Sequence, residues 1–171
     1  MNVPPAREFF PHDPVSASLL RLLLGQDGST TRLCEVIAGC PVELDLHSQA
    51  RVETVPDRVL ESLGGESWIE RITSLHVAGR VMMDNLTWTR TDRIPAEFSD
   101  HLERGELPVG RLLDRLFVKR RMVSASSLGE ILWKQTGLPD ARASRVYTIS
   151  SDQGAFMLVF ETYRAEIALR F

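Results

Sequence analysis

The chain has 171 residues, 43% of them hydrophobic, which is enough to bury one sizeable core in a single domain spanning 1–171. Its formal charge of -3 comes from basic and acidic residues interleaved along the whole length, without the basic patch that nucleic acid or an anionic membrane requires. No apolar run approaches the roughly 18 residues of a membrane span, and the N-terminus has no signal-type stretch. We therefore expect a cytoplasmic protein with no nucleic-acid or membrane partner.

Two short helices are predicted near the N-terminus, after a loosely ordered arm at 1–12. Asp13 can cap the first helix, which has proline at its first position and a run of leucines that ends at Leu24. The hydroxyls of Ser29–Thr31 can cap a second helix that runs to about Ala38 and stops at Gly39. A polar turn therefore separates two helices that face each other.

A sheet is predicted to begin at Pro41, because apolar and polar residues alternate from Val42 to His47 as in a half-buried strand. Further strands are predicted at 68–77, 81–89, 117–126, 145–150 and 155–164. Helices are predicted at 56–63, 95–104 and 109–116. Tight turns at 78–80 and 151–154 join neighbouring strands as hairpins. This order predicts an α+β fold: an antiparallel sheet with one solvated face and helices covering an internal ligand cavity on the other.

Two charged residues fall on apolar strand faces. Period-two alternation places Arg71 on the same face as Leu75, and Glu161 on the same face as Val159. An arginine fork binds a carboxylate, and a buried glutamate can accept or exchange a proton with a hydroxyl, so a ligand site is one explanation. Arg71 and Glu161 could instead pair with each other, or Arg71 could reach solvent at a sheet edge.

Other polar residues have simple structural explanations. Ser29–Thr31 could serve only as helix caps. The four histidines lie on unrelated elements and are expected to be structural or solvated; they are His12, His47, His76 and His101. Cys34 and Cys40 are the only cysteines, and we expect both to be reduced and at least half buried. Their spacing gives no zinc site, and we expect neither a metal nor a cofactor.

Several short segments, in order and with comparable spacing, make the chain resemble the chorismate pyruvate-lyase family from about Leu19 to Tyr163. These segments are 27–33 (DGSTTRL), 68–71 (WIER), 107–111 (LPVGR), Arg121, and Phe160 with Glu161. The resemblance implies the family's fold and its reaction, the elimination of pyruvate from chorismate to give 4-hydroxybenzoate without metal or redox cofactor. Aromatisation of the ring would drive this reaction.

The resemblance also implies roles for three charged residues. Arg71 corresponds to the arginine that binds the ring carboxylate, and Glu161 to the glutamate at the ring hydroxyl, where it orients the substrate and could assist proton transfer. Arg121 corresponds to a second basic residue, which we assign to the enolpyruvyl carboxylate, with a structural salt bridge as the alternative. A dry cavity with two arginines and one carboxylate would suffice for the reaction.

The resemblance further places Val109 and Gly110 against the ligand, where glycine lets the chain approach closely. The Ser29–Thr30 turn would lie in a helical flap over the site. Two positions depart from the family: Ser29 stands where the ubiquinone-pathway lyases have methionine, and Val109 stands where the family has leucine. The pocket wall is therefore expected to be more polar than in those enzymes.

Two other functions stay open on the sequence. The ligand-sensing domain of GntR-type regulators resembles the same architecture and is a binding module; such sensors follow a winged-helix domain, for which the segment before Asp13 is too short. An enzyme with a changed substrate or product is the second, for example aminodeoxychorismate giving 4-aminobenzoate or chorismate giving 3-hydroxybenzoate. By resemblance we expect a monomer.

Overall fold

The computed structural model of the chain describes residues 14–94, 96–105, 108–113, 117–123 and 143–164. The helices are α1 (Pro14–Gly25), α2 (Thr30–Ala38), α3 (Asp57–Leu63), α4 (Ala96–Arg104) and α5 (Val109–Leu113). The strands are β1 (Glu43–Val52), β2 (Trp68–Val77), β3 (Arg80–Arg90), β4 (Lys119–Val123), β5 (Ser144–Ser151) and β6 (Gly154–Tyr163). The N-terminal arm, the capping residue Asp13 and the predicted continuations at 114–116 and 124–126 lie outside these ranges.

The six strands form one antiparallel sheet in the order β1-β2-β3-β6-β5-β4. Both predicted hairpins are confirmed. The β2–β3 turn places Ala78 and Gly79 at positive φ, and the β5–β6 turn places Gly154 at φ 102°. The predicted α+β architecture with an antiparallel sheet is therefore confirmed.

Helices cover both faces of the central strands. On one face, α1 and α2 pack with Leu75 and Met83, while α4 and α5 pack with Val159 and its neighbours. On the reverse face, α3 packs against an aromatic cluster that includes Trp88 and Phe160. The expectation of one solvated face is wrong for these strands, because the reverse face also carries large apolar side chains that must be buried.

The edge strand β1 differs from its prediction. It runs to Val52, beyond the predicted end at His47, and most of its residues are exposed, including Leu46 at 42%. Among the described strands it pairs with β2 alone, and a bulge between Leu46 and Ser48 interrupts the alternation. Cys40 is also exposed, contrary to expectation, because it follows the left-handed Gly39 that ends α2, whereas Cys34 within α2 is buried.

No helix in the described ranges has both the length and the apolar character needed to cross a membrane.

Candidate functional site

A cavity of about 40 Å³ lies between the sheet face that carries Leu75 and Val159 and the helices α2 and α5. Its apolar lining is Leu44, Leu75, Met83, Pro108, Val109, Leu113 and Val159, together with Gly110. Its polar lining is Thr30, Thr31, Thr73, Asn85, Thr87, Arg120, Tyr147 and Glu161. Among these lining residues Glu161 is the one acid and Arg120 the one base, so the charge of the cavity depends on what each of them contacts.

Glu161 is only 3% exposed, and its carboxylate accepts hydrogen bonds from neighbouring strands and from α2. Oε1 accepts from the Tyr147 hydroxyl at 2.6 Å. Oε2 accepts from Arg145 Nε at 2.7 Å and from Thr30 Oγ1 at 3.1 Å. The Tyr163 hydroxyl lies 3.2 Å from Oε2 and 3.1 Å from the Leu23 carbonyl, and its single proton can be donated to either.

Arg145 neutralises Glu161 and ties it to the turn between α1 and α2. Its guanidinium donates to Thr30 Oγ1 at 2.6 Å and to the Gln26 carbonyl, and it lies over the Tyr147 ring, 4.9 Å from the centroid. Burial acts to lower the pKa of Arg145, but the adjacent Glu161 carboxylate outweighs it and raises that pKa. Arg145 therefore stays protonated, and its guanidinium forms a buried salt bridge with Glu161.

Burial also raises the pKa of the Tyr147 hydroxyl well above 10, and the negative charge of Glu161 adds to the effect. Burial and the negative charge of Glu161 likewise raise the pKa of the Tyr163 hydroxyl. Both phenols therefore stay protonated: Tyr147 donates to the carboxylate, and Tyr163 can donate either to the carboxylate or to the Leu23 carbonyl. A carboxylate has about four acceptor positions, and four described side chains already compete for those of Glu161. Glu161 is therefore poorly placed to act as a general base.

Arg145 did not emerge from the sequence, and the register of the last hairpin explains why. Counting back from the turn pair Ser151 and Gly154 would place Arg145 opposite Phe160, on the far face. A shift between Ile149 and Ser150 moves the pairing by one residue, so Arg145 lies opposite Glu161 instead. The turn was readable from the sequence, but the bulge was not.

Arg71 lies on the predicted face, in line with Thr87 of β3, but it does not line the cavity. It is 1% exposed, and its Nη2 donates to the Gly105 carbonyl at 2.9 Å, which joins β2 to the end of α4. Burial lowers the pKa of Arg71 to about 10. The alternative that Arg71 pairs with Glu161 is wrong, since Arg145 takes that position.

The structure places Arg120, rather than Arg121, at the cavity. Arg121 is exposed and pairs with Thr148, so it lies on the face opposite the cavity. Arg120 pairs with Ile149, lines the cavity, and donates one long hydrogen bond of 3.4 Å to the Asp27 carbonyl. Within the described ranges the buried Nε of Arg120 has no hydrogen-bond partner, and Arg120 forms no ion pair.

The predicted flap residues divide into two groups. Ser29 caps α2 by accepting from the Arg32 amide at 3.3 Å and does not line the cavity, as the simple structural explanation held. Thr30 does line the cavity and belongs to the network around Glu161.

Val109 and Gly110 line the cavity as expected. The close approach that Gly110 allows is to α2, where an added Cβ would lie 2.3 Å from Thr31 Oγ1.

The described residues hold no group of three or more His, Cys, Asp or Glu side chains arranged to bind a metal ion. The chemistry that the cavity itself offers is recognition by one arginine and by neutral hydroxyl and amide groups. Thr87 is an example: it is 3% exposed, and its Oγ1 has no hydrogen-bond partner among the described atoms.

No protein-family model and no curated protein sequence matches the chain. Solved structures do match it. The C-terminal domain of the histidine utilization repressor from Pseudomonas syringae superposes with a TM-score of 0.51 at 7% identity, over 76% of this chain and 95% of that one. The effector domain of PhnF from Mycobacterium smegmatis gives 0.46 at 17% identity, over 81% and 90%. A GntR-family transcriptional regulator from Bacillus cereus gives 0.47 at 14%, over 76% and 95%.

At such low identity, the match to the repressor domain shows the fold alone. This fold is an α+β arrangement of a six-stranded antiparallel sheet with helices. GntR effector domains have the same arrangement, which is also called chorismate lyase-like.

Proposed function

We propose that this chain is a small-molecule-binding module that holds a small organic anion between the sheet and the helices α2 and α5, with Arg120 as its charged contact. The observation that carries the proposal is the contrast between the two charged lining residues. Glu161 is neutralised by Arg145, whereas Arg120 has no carboxylate partner among the described residues. The cavity therefore presents one uncompensated positive charge.

The neutral lining supports the same conclusion. Thr87 offers a buried hydroxyl, and Asn85 offers an amide beside it on the same strand face. Apolar side chains such as Leu75 and Val109 would contact the carbon skeleton of the ligand. A small number of polar groups in an apolar lining is the usual composition of a ligand site. The fold is also that of the C-terminal domain of a repressor, which agrees with a binding role.

The size of the cavity limits the ligand. Sites for drug-sized molecules measure roughly 300 Å³ or more, several times the volume of about 40 Å³ here. A short carboxylate fits with little rearrangement, while a ring compound requires α2 and α5 to separate.

The test compares two adjacent arginines on opposite faces of β4. Short monocarboxylates such as acetate and pyruvate, and the aromatic acid 4-hydroxybenzoate, are titrated into the protein and followed by NMR chemical shifts. Arg120→Ala is expected to weaken binding by at least about tenfold, because it removes the charged contact. Arg121→Ala removes the same charge from the exposed side of β4 and should bind these acids as the unmodified chain does. Equal loss in both variants, or loss in Arg121→Ala alone, would contradict the proposal.

Chorismate lyase activity is a second candidate, favoured by one observation. Glu161, Thr30, Val109 and Gly110 all reach the same cavity, as the resemblance to that family implied. Chorismate carries two carboxylates, however, and Arg120 is the single basic residue in the described lining. The reaction would also require Glu161 to exchange one of its present donors for the ring hydroxyl.

Incubation with chorismate separates the two candidates. Pyruvate and 4-hydroxybenzoate formed together, and lost in Glu161→Gln, would establish the lyase. Formation of 3-hydroxybenzoate, or of 4-aminobenzoate from aminodeoxychorismate, would establish one of the changed reactions. Binding of these compounds without turnover would favour the binding module.

A further inference from the structure

We infer that Arg145 determines the charge of the molecule that the cavity accepts: by neutralising Glu161, it makes the cavity select anions over cations. The inference rests on the proposed function and assigns a specificity-determining role to a residue that does not itself line the cavity.

The contacts of Arg145 fix it in this position. The side chains of Arg145 and Glu161 are 2% and 4% exposed, with Nε and Oε2 separated by 2.7 Å. The remaining guanidinium nitrogens are held by Thr30 Oγ1 and by the Gln26 carbonyl. Because several elements hold the guanidinium, it cannot turn away to bind a ligand, and its charge is directed to Glu161.

The charge balance of the lining depends on this contact. The other described donors to Glu161 are the hydroxyls of Thr30, Tyr147 and Tyr163, which satisfy its oxygens but do not cancel its charge. Without Arg145, a buried carboxylate would face the same cavity as Arg120. At an effective dielectric constant of about 20, a unit charge within roughly 10 Å changes the binding of another unit charge by about tenfold or more.

The experiment uses probes of one shape and three charges. Acetate, acetamide and acetamidinium form the small series; benzoate, benzamide and benzamidinium form the larger one. Each is titrated by NMR into the full chain and into Arg145→Gln, Glu161→Gln and the double variant.

The expected order of carboxylate affinity is Glu161→Gln above the unmodified chain, and Arg145→Gln lowest, with steps of about tenfold. Amidinium affinity should follow the opposite order. The double variant should regain the selectivity of the unmodified chain, because Arg120 is again the uncompensated charge. A purely structural role for Arg145 would weaken all three probes alike and leave their ratio unchanged.

Arg51 and Glu103 provide matched controls, since they form an exposed ion pair away from the cavity. Arg51→Gln and Glu103→Gln change the net charge by the same amounts and should leave the selectivity unaltered. If Arg145→Gln does not fold, Glu161→Gln and the double variant still decide the matter.

Two outcomes would overturn the inference alone: unchanged carboxylate preference in Arg145→Gln, or unchanged acetate affinity in Glu161→Gln. If the unmodified chain binds none of the six probes at the cavity, the proposed function fails, and the inference fails with it.

Discussion

Gly110 of α5 packs directly against Thr31 of α2, so closely that a Cβ on Gly110 would lie 2.3 Å from the Thr31 Oγ1 and 2.9 Å from its Cβ. Ser29 Oγ would be 3.0 Å away. This contact closes one side of the cavity, because Thr31 and Gly110 both line it. The absence of a side chain at one position therefore sets the separation of two helices that cover the site.

Gly110→Ala is accordingly expected to destabilise the protein by about 1–3 kcal/mol, since Thr31 Cβ belongs to the helix framework and cannot rotate away. Urea denaturation measures this change. Gly25→Ala is the matched control: a Cβ there would meet nothing within 4 Å, and the substitution should be neutral or slightly stabilising. Equal effects of the two substitutions would refute the packing argument.

Substitutions of Arg71 and Arg120 are expected to change different properties, stability in the first case and ligand binding in the second. Arg71→Met removes the buried hydrogen bond to the Gly105 carbonyl and should lower the free energy of unfolding by about 2 kcal/mol. Its effect on acetate binding should be small, because Arg71 does not line the cavity. Arg120→Met should show the reverse pattern. Thermal denaturation and NMR titration of both variants give the comparison, and loss of binding without loss of stability in Arg71→Met would restore Arg71 to the site.

Much of the fold followed from local patterns. The strands β2 and β3, and likewise β5 and β6, flank turns with clear glycine signals, so their limits were predicted to within one residue. The edge strand β1 was predicted less well, because a strand with a single neighbour and a bulge has no reason to keep a strict alternation.

The candidate site could be predicted only in part. Order along the chain singled out Glu161, Thr30, Val109 and Gly110, which line one cavity, but it did not single out Arg120 or Arg145. Whether Arg120 or Arg121 faces the cavity depends on the pairing of β4 with a strand more than 20 residues later, which local sequence does not encode.

Stability at high pH is expected to depend on Cys34. Burial raises the pKa of this thiol from 9.0 to about 12, with the charge of Glu161 adding to the effect. The folded state therefore keeps a proton that the unfolded chain releases above pH 9, and the corresponding stability, complete below pH 9, is lost as the pH rises towards 12.

Between pH 9 and pH 10 the free energy of unfolding should thus fall by up to about 1.4 kcal/mol from this group, and Cys34→Ala should remove that slope. Urea denaturation at a series of pH values measures it. The exposed Cys40 supplies the control, since Cys40→Ala should leave the slope unchanged. A Cys34→Ala slope identical to that of the unmodified chain would rule out the thiol as the source.

The reverse face of the sheet contains a second buried ion pair that is predicted to stabilise the fold without affecting binding. Asp84 is fully buried and accepts from Arg164 Nε at 2.8 Å, from Arg164 Nη2 at 3.0 Å and from Ser74 Oγ at 2.5 Å. Asp84→Ala should cost about 3–5 kcal/mol because it leaves the guanidinium uncompensated. Adding Arg164→Met should recover part of this loss. Calorimetry on the two variants checks both values, and acetate affinity should stay constant throughout.

The bulge between Ile149 and Ser150 sets which face each upstream residue of β5 occupies. A one-residue change in the length of the hairpin can therefore move a side chain to the other face, which no single substitution can do. Deleting Val146 from β5 would move Arg145 to the face that α3 covers, opposite Phe160, and would bring Ser144 opposite Glu161. The cavity would then contain an uncompensated carboxylate although every cavity-lining residue stayed the same. A one-residue change in the length of this hairpin would therefore reverse the charge that the cavity presents, so hairpin length would be as informative about ligand charge as the residues of the cavity wall.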